Sequence, residues 1–256
     1  MKRLVVFVVL ISWVIYSPAQ ILLLVPDSTS INKSTKSRCD IKPVEYIIPA
    51  AMVTYGFVAL KNKGLIRLNE QIKQNIWDKN PHKKTNVEDY TWAVPAVAVY
   101  VLNFSGIKGK NNFTDRTILY LMSNIIASAF VVPTKNITKV LRPDSSNTLS
   151  FPSGHTTQAF VAAEFLRREY KDVSPWYGVA GYTFAVTTGY LRLYNNKHWL
   201  SDVVAGAGVG ILSVHAAFWI YPMLKKKFSK KNNNTSMLMP YYQQKNIGFV
   251  FIHQLK

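Results

Sequence analysis

HWLSDVVAGAGVGILSVHAAFWIY, residues His198 to Tyr221, sets both the fold and the chemistry of this chain. From Val203 to Tyr221 the run is apolar. At 1.5 Å per residue it is about 28 Å long, enough for a helix to cross a bilayer. Gly206, Gly208 and Gly210 lie inside it and let a neighbouring helix approach closely. At its head, His198 and Asp202 stand four residues apart, which on a helix places one above the other. A carboxylate bonded to one imidazole nitrogen fixes the tautomer and leaves the other nitrogen as a nucleophile. A lone His–Asp pair is more often a surface contact, so its meaning depends on what accompanies it.

Three features upstream accompany it. Arg192, six residues before His198 and outside that helix, is placed to grip an oxyanion through two N–H groups. Pro152-Ser153-Gly154-His155, preceded by Ser150-Phe151, opens the apolar run Thr156 to Phe165. Pro152 and Gly154 bend the chain, and Gly154 lets backbone N–H groups approach an anion. Ser153 adds a hydroxyl. A helix N-cap accounts for the Ser and the Gly, but not for His155 at the start of an apolar run. Finally, Lys135 and Arg142 are seven residues apart, about two helical turns, so the spacing predicts one helix face ending at Pro143. In so basic a chain that pair alone carries little weight.

The rest of the chain reads as helices for a membrane. Pro43 to Leu60 is apolar apart from Glu45. Between Lys61 and Lys84, basic residues alternate with Leu65, Leu68, Ile72 and Ile76 at helical spacing, the pattern of an amphipathic helix on a surface. Trp92 to Phe104 is short and holds Pro95, which favours a non-spanning segment. Thr117 to Val132 is a stronger helix candidate, and Tyr177 to Leu191 is also apolar. Residues 1–19 read as a signal peptide or a first span. Residues 20–110 read as a membrane and amphipathic region, 111–222 as the core, and 223–256 as a basic, Asn-rich tail with a short β segment at Ile247 to Ile252. The basic stretches at 61–84, Arg167-Arg168 and 225–231 follow apolar runs, as cytoplasmic flanks do.

The net charge of +18 fits nucleic acid, anionic lipid or a phosphorylated substrate. No nucleic-acid-binding motif is present and the basic clusters flank apolar runs, so nucleic acid is not expected as a partner. The single cysteine, Cys39, allows no internal disulfide. No carboxylate cluster has metal-ligand spacing, so neither metal nor cofactor is expected.

Taken in order, Lys-x6-Arg-Pro, Pro-Ser-Gly-His and Arg-x5-His-x3-Asp resemble the motifs of the type 2 phosphatidic acid phosphatase and vanadium haloperoxidase superfamily. The resemblance runs from Thr117 to about Tyr221. It implies an all-α, membrane-embedded helical bundle with the phosphate site at its non-cytoplasmic end. It implies His198 as nucleophile, Asp202 as its orienting partner and His155 as acid and then base. Lys135, Arg142, Arg192, Ser153 and Gly154 would hold the phosphate. The family usually has Ser before the third-motif Arg, where this chain has Leu191. The substrate class implied is a lipid phosphate: phosphatidic acid, phosphatidylglycerol phosphate, an isoprenyl diphosphate or lipid A. The location implied is a bacterial-type inner membrane facing the periplasm, or the periplasm itself if residues 1–19 are cleaved. A soluble periplasmic acid phosphatase is the alternative, given a mean hydropathy of only +0.04. A vanadate-dependent haloperoxidase is a further one.

Overall fold

The computed structural model describes residues 43–80, 82–229, 236–243 and 246–253. The expectations for residues 1–19 lie outside these. Eight α-helices fill the described residues up to Ser229: α1 (Pro43–Ala59), α2 (Lys63–Lys73), α3 (Glu88–Thr91), α4 (Val94–Phe104), α5 (Phe113–Thr138), α6 (Gly154–Tyr170), α7 (Trp176–Tyr194) and α8 (Leu200–Ser229). A π-helical turn, Gln74–Asp78, extends α2. The helical bundle expected from the sequence is therefore present. It is followed by one two-stranded antiparallel hairpin, β1 (Ser236–Gln243) with β2 (Asn246–His253). The short β segment expected at Ile247 to Ile252 is β2. Its partner strand was not anticipated, and α8 runs seven residues past the expected core boundary.

Local sequence accounts for the helix ends. Asn112 caps α5 by accepting from the Asp115 amide at 2.9 Å. The helix stops at Lys139, whose left-handed φ of 46° turns its N–H back to the Lys135 carbonyl at 3.1 Å. The expected continuation to Pro143 fails there, and Arg142 lies in the following loop. Ser153 caps α6 through the Thr156 amide.

α8 forms the centre of the bundle, between α1 and α6. Its three glycines make this possible. A methyl group on Gly206 would sit 2.7 Å from the Ser153 carbonyl oxygen, and one on Gly210 would sit 2.5 Å from that of Thr157. Gly208 faces the other way, where a methyl would meet the Pro49 carbonyl oxygen of α1 at 2.5 Å. Small residues continue through the core as Ala159, Ala163, Ala185 and Ala207. Without a hydrophobic drive between helices in lipid, such close backbone approach is what holds a bundle together. The outer surface is apolar: Leu121, Ile125, Val132 and Ile137 of α5 are all more than half exposed. By length and apolarity α5 and α8 are each able to cross a membrane, and α1 with α2 makes a third candidate, bent by 94°.

Ends of the bundle are distinguishable. Gly56, near the end of α1, packs against Phe151 and Ala205, so α1 arrives where α6 and α8 begin. The bent α2 lies across this end and is docked by Asn69, whose amide donates to Ser201 at 2.9 Å. Arg167, Arg168 and Lys225 belong to the other end, where Lys225 meets Asp115 at the start of α5. The stretch 61–84 therefore lies at the opposite end of the bundle from Arg167-Arg168 and Lys225, against the charge reading above, which grouped the three as flanks of one side. Its charges lie at the end where α6 and α8 start, on a helix turned nearly square to α1. α4 is too short to span alone, as expected. Yet its flanks carry residues 88–110 from Asp89, beside His155, to Lys110, which donates to the Glu169 carbonyl at 2.9 Å. That is the full length of α6.

Candidate active site

The loop after α5, the turn before α8 and the short α3 meet where α6 and α8 begin. His198 sits in the turn before α8, not within the helix as its spacing suggested. Asp202 occupies the first turn, where its Oδ2 accepts from the Trp199 amide at 2.9 Å and so caps the helix start. The same Oδ2 lies 3.4 Å from His198 Nδ1 and accepts from Ser150 Oγ at 2.5 Å. His198 and Asp202 are 3% and 0% exposed. Burial pushes the His198 pKa down to about 4, against the opposing pull of Asp202. A neutral imidazole with Nδ1 turned to a carboxylate has its Nε2 lone pair available for attack.

Cations surround this pair. Lys135 donates to the Leu149 carbonyl at 2.6 Å and to that of Ser150 at 3.3 Å, which holds it over the loop before Pro152. Lys135, Arg142 and Arg192 are near enough to feel one another's charge, and both Lys135 and Arg192 act on His198. The structure thus brings together the motif cations that the sequence separates by up to 57 positions, although Arg142 comes from a loop. Among the described residues, Nε of Arg142, Nε of Arg192 and Oδ1 of Asp202 are buried with no hydrogen-bond partner. Two unpaired guanidinium N–H groups of this kind suit an incoming anion. The loop carrying Arg142 is tied to the third motif by Lys197, which donates to Asp144 at 2.7 Å, and by Trp199 Nε1, which donates to the Leu141 carbonyl at 2.9 Å.

The second motif is divided in role. Ser153 is fully buried, with its hydroxyl 2.8 Å from Thr156 Oγ1 and its amide bonded to the Asp202 carbonyl. Its hydroxyl is spent within the protein as a cap, the structural role the sequence also allowed. Gly154 differs: a methyl group there would meet nothing within 4 Å. Thr156 and Thr157 spend their amides on Ser153, so the amides left at the start of α6 for an anion are those of Gly154 and His155, with the helix dipole behind them. Gly154→Ala is expected to fold normally and to weaken inorganic phosphate about five- to tenfold by crowding that approach, as isothermal titration would show.

His155, on α6, is half-buried. Its pKa is lowered by burial and by Arg192, with Asp89 opposing. Asp89 Oδ1 lies 3.2 Å from His155 Nε2, and Glu88 Oε1 accepts from Arg192 Nη1 at 3.1 Å. Leu191, before Arg192, offers no hydroxyl, and Arg192 is held by Glu88. Glu88, Asp89, Ser150 and Asn195 went unassigned in the sequence. Glu88 and Asp89 lie some hundred residues from Arg192 in a segment with no motif spacing. Only for Ser150 was there a signal, its place two residues before Pro152. Among the described residues, no three His, Cys, Asp or Glu side chains converge as metal ligands.

The family model for the PAP2 superfamily matches residues 116–226. A lipid A 1-phosphatase of Porphyromonas gingivalis is 36% identical over 162 residues, which is 59% of this chain and 36% of that protein. Bacitracin transport permease protein BcrC of Bacillus licheniformis is 33% identical over 89 residues, 35% of this chain and 41% of that one. The chain thus spans about two fifths of the length of these curated relatives. A crystal structure of a transmembrane PAP2 type phosphatidylglycerolphosphate phosphatase from Bacillus subtilis superposes with a TM-score of 0.51, covering 70% of this chain and 98% of that one. At 20% identity this is a likeness of fold. The helices, the three motifs and the loops that unite them all lie in or against the stretch, residues 116–226, over which this chain is similar to the PAP2 superfamily.

Proposed function

We propose that this chain is a metal-independent phosphatase that hydrolyses a lipid phosphate monoester or diphosphate through a phosphohistidine at His198. The observation that carries this is the buried His198–Asp202 pair among three cations, at one end of helices long enough to cross a membrane. In the first step the free nitrogen of His198 attacks phosphorus. The bond from phosphorus to the leaving oxygen breaks, and His155 gives that oxygen its proton. In the second step water attacks the phosphohistidine, His155 takes the water's proton, and the N–P bond breaks to release phosphate. Lys135, Arg142, Arg192 and the Gly154 amide stabilise charge on the equatorial oxygens, the task a metal performs elsewhere. Ser153 supports them as the cap that sets the Gly154 turn.

The substrate reading rests on the 36%-identical lipid A 1-phosphatase and on the apolar surface that flanks the site. A lipid A phosphate and other lipid phosphates, including phosphatidic acid, phosphatidylglycerol phosphate and isoprenyl diphosphates, share the required chemistry: an anionic head at the level of the histidines and chains alongside the helices. The site faces away from the cytoplasm in this reading, because Arg167, Arg168, Lys225, Lys226 and Lys227 flank the opposite end. On the histidine side, the basic α2 meets anionic head groups. The long exposed apolar helices weigh against a soluble acid phosphatase.

Phosphate release by purified protein in detergent with EDTA, across those lipids and a soluble aryl phosphate, tests the proposal. Release confined to the soluble ester would remove the lipid reading, and a requirement for divalent metal would remove the mechanism. The pKa directions add a further expectation. His198 must be neutral, and His155, lowered from 6.5, must be protonated. The log of kcat/KM should therefore form a bell whose limbs fall between about pH 4 and 6.5. A profile rising to pH 9 would contradict these roles.

A further inference from the structure

We propose that Asp89, outside the three motifs, is a positioning residue that holds His155 by its Nε2–H and leaves the other ring nitrogen to exchange the catalytic proton. This rests on the phosphatase reading above for its consequence in turnover, though not for its geometry. Asp89 Oδ1 is 3.2 Å from His155 Nε2. The neighbouring Glu88 is 4% exposed and takes Arg192 Nη1 at 3.1 Å, so two successive carboxylates engage one residue from each of the second and third motifs.

The segment that presents them is tied down before any substrate arrives. Asn195, buried at the end of α7, accepts from the Thr85 amide at 2.9 Å and donates to the Thr85 carbonyl at 2.7 Å. The same side chain donates to Glu88 Oε1 at 2.5 Å. His82 stacks on Tyr194 at 3.7 Å and bonds its carbonyl at 2.8 Å, and Thr91 meets Thr188 of α7 at 2.8 Å. A carboxylate delivered by so fixed a segment is a feature of the site and not a chance surface contact.

The charged groups around His155 are Asp89 and Glu88 of α3 and Arg192 of α7. Arg192 disfavours the imidazolium, and the two carboxylates favour it. Of these, only Asp89 touches the ring. With Nε2–H engaged by Asp89 throughout, the proton that leaves for the departing oxygen comes from Nδ1, and the proton taken from water returns there. The general acid is thereby kept in one orientation and charged at a higher pH than Arg192 alone would allow.

Asp89→Asn in the full chain in detergent is the test, with Asp89→Glu alongside. Diethyl pyrocarbonate attacks only neutral imidazole, so the pH midpoint for modification of His155, followed by peptide mass spectrometry, needs no turnover. In Asp89→Asn that midpoint should fall by roughly half to one pH unit, and Asp89→Glu should restore most of it. The alkaline limb of kcat/KM should move down in step, with kcat reduced about tenfold and KM within about twofold of wild type. An unchanged midpoint in Asp89→Asn overturns the proposal whether or not the protein releases phosphate. A shifted midpoint in a protein that releases none supports the Asp89–His155 pairing and removes only the phosphatase reading.

Discussion

His198→Gln is expected to lower phosphate release from every accepted substrate by at least about 10³-fold, because it removes the atom that bonds to phosphorus. Gln keeps a polar side chain of similar reach beside Asp202, so the buried carboxylate is not left alone, and folding should survive. Asp202→Asn should cost less, about 10²- to 10³-fold. The imidazole remains, but the carboxylate that sets its tautomer and takes up its developing charge is gone. Ser150 and the Trp199 amide, which also bond Asp202 Oδ2, would then face an amide in place of a full acceptor. Labelled substrate, rapid denaturation and peptide mapping should place acid-labile phosphate on His198 in wild type and on no residue in His198→Gln. Retention of more than a tenth of wild-type turnover in that variant would sink the mechanism.

Gly210→Ala and Gly206→Ala are expected to reduce both stability and activity, by an effect that can be signed from two opposing magnitudes. Ala in place of Gly in a helix is favourable by about 1 kcal/mol on propensity alone. Against this, the added methyl on Gly210 would lie 2.5 Å from the Thr157 carbonyl oxygen and 2.9 Å from Phe160 Cβ. A backbone carbonyl inside a packed helix pair cannot swing aside, and overpacking of this kind costs about 1–3 kcal/mol. α8 must therefore separate from α6. Since α8 carries Asp202 and α6 carries His155, the separation opens the site as well, and turnover should fall roughly ten- to a hundredfold. Gly208→Ala provides the contrast. Its methyl meets the Pro49 carbonyl oxygen of α1, so it should lose comparable thermal stability with a smaller loss of turnover. Thermal unfolding in detergent beside the kinetic assay separates the two. Equal losses of activity at 208 and 210 would mean that the α6–α8 contact does not set the site.

The three motifs and the glycine-spaced helix were readable from the sequence because each depends on local chemistry. A Gly at a close helix contact, a Pro-Ser-Gly turn with its cap and a histidine followed at four residues by a carboxylate have consequences within a turn or two of chain. The helix character of α5 and α8 was readable for the same reason, since apolar length is a local property. Reading Lys135 and Arg142 as one helix face went wrong because a single left-handed residue, Lys139, ends α5 before the spacing can operate. The segment 61–84 was recognised as amphipathic. The end of the bundle on which it lies was set by Asn69 and Ser201, 132 residues apart.

By itself, then, the sequence determined the helical class, the membrane-length runs and the residues of all three motifs, because periodicity and turn chemistry act between near neighbours. Tertiary structure alone decided that Arg142 joins Lys135 from a loop, that Ser150 shares Asp202 with His198, and that Glu88 and Asp89 brace Arg192 and His155. Those contacts join residues tens to more than a hundred positions apart. Their pairing is fixed by how α3, α6, α7 and α8 pack, and no spacing along the chain encodes it.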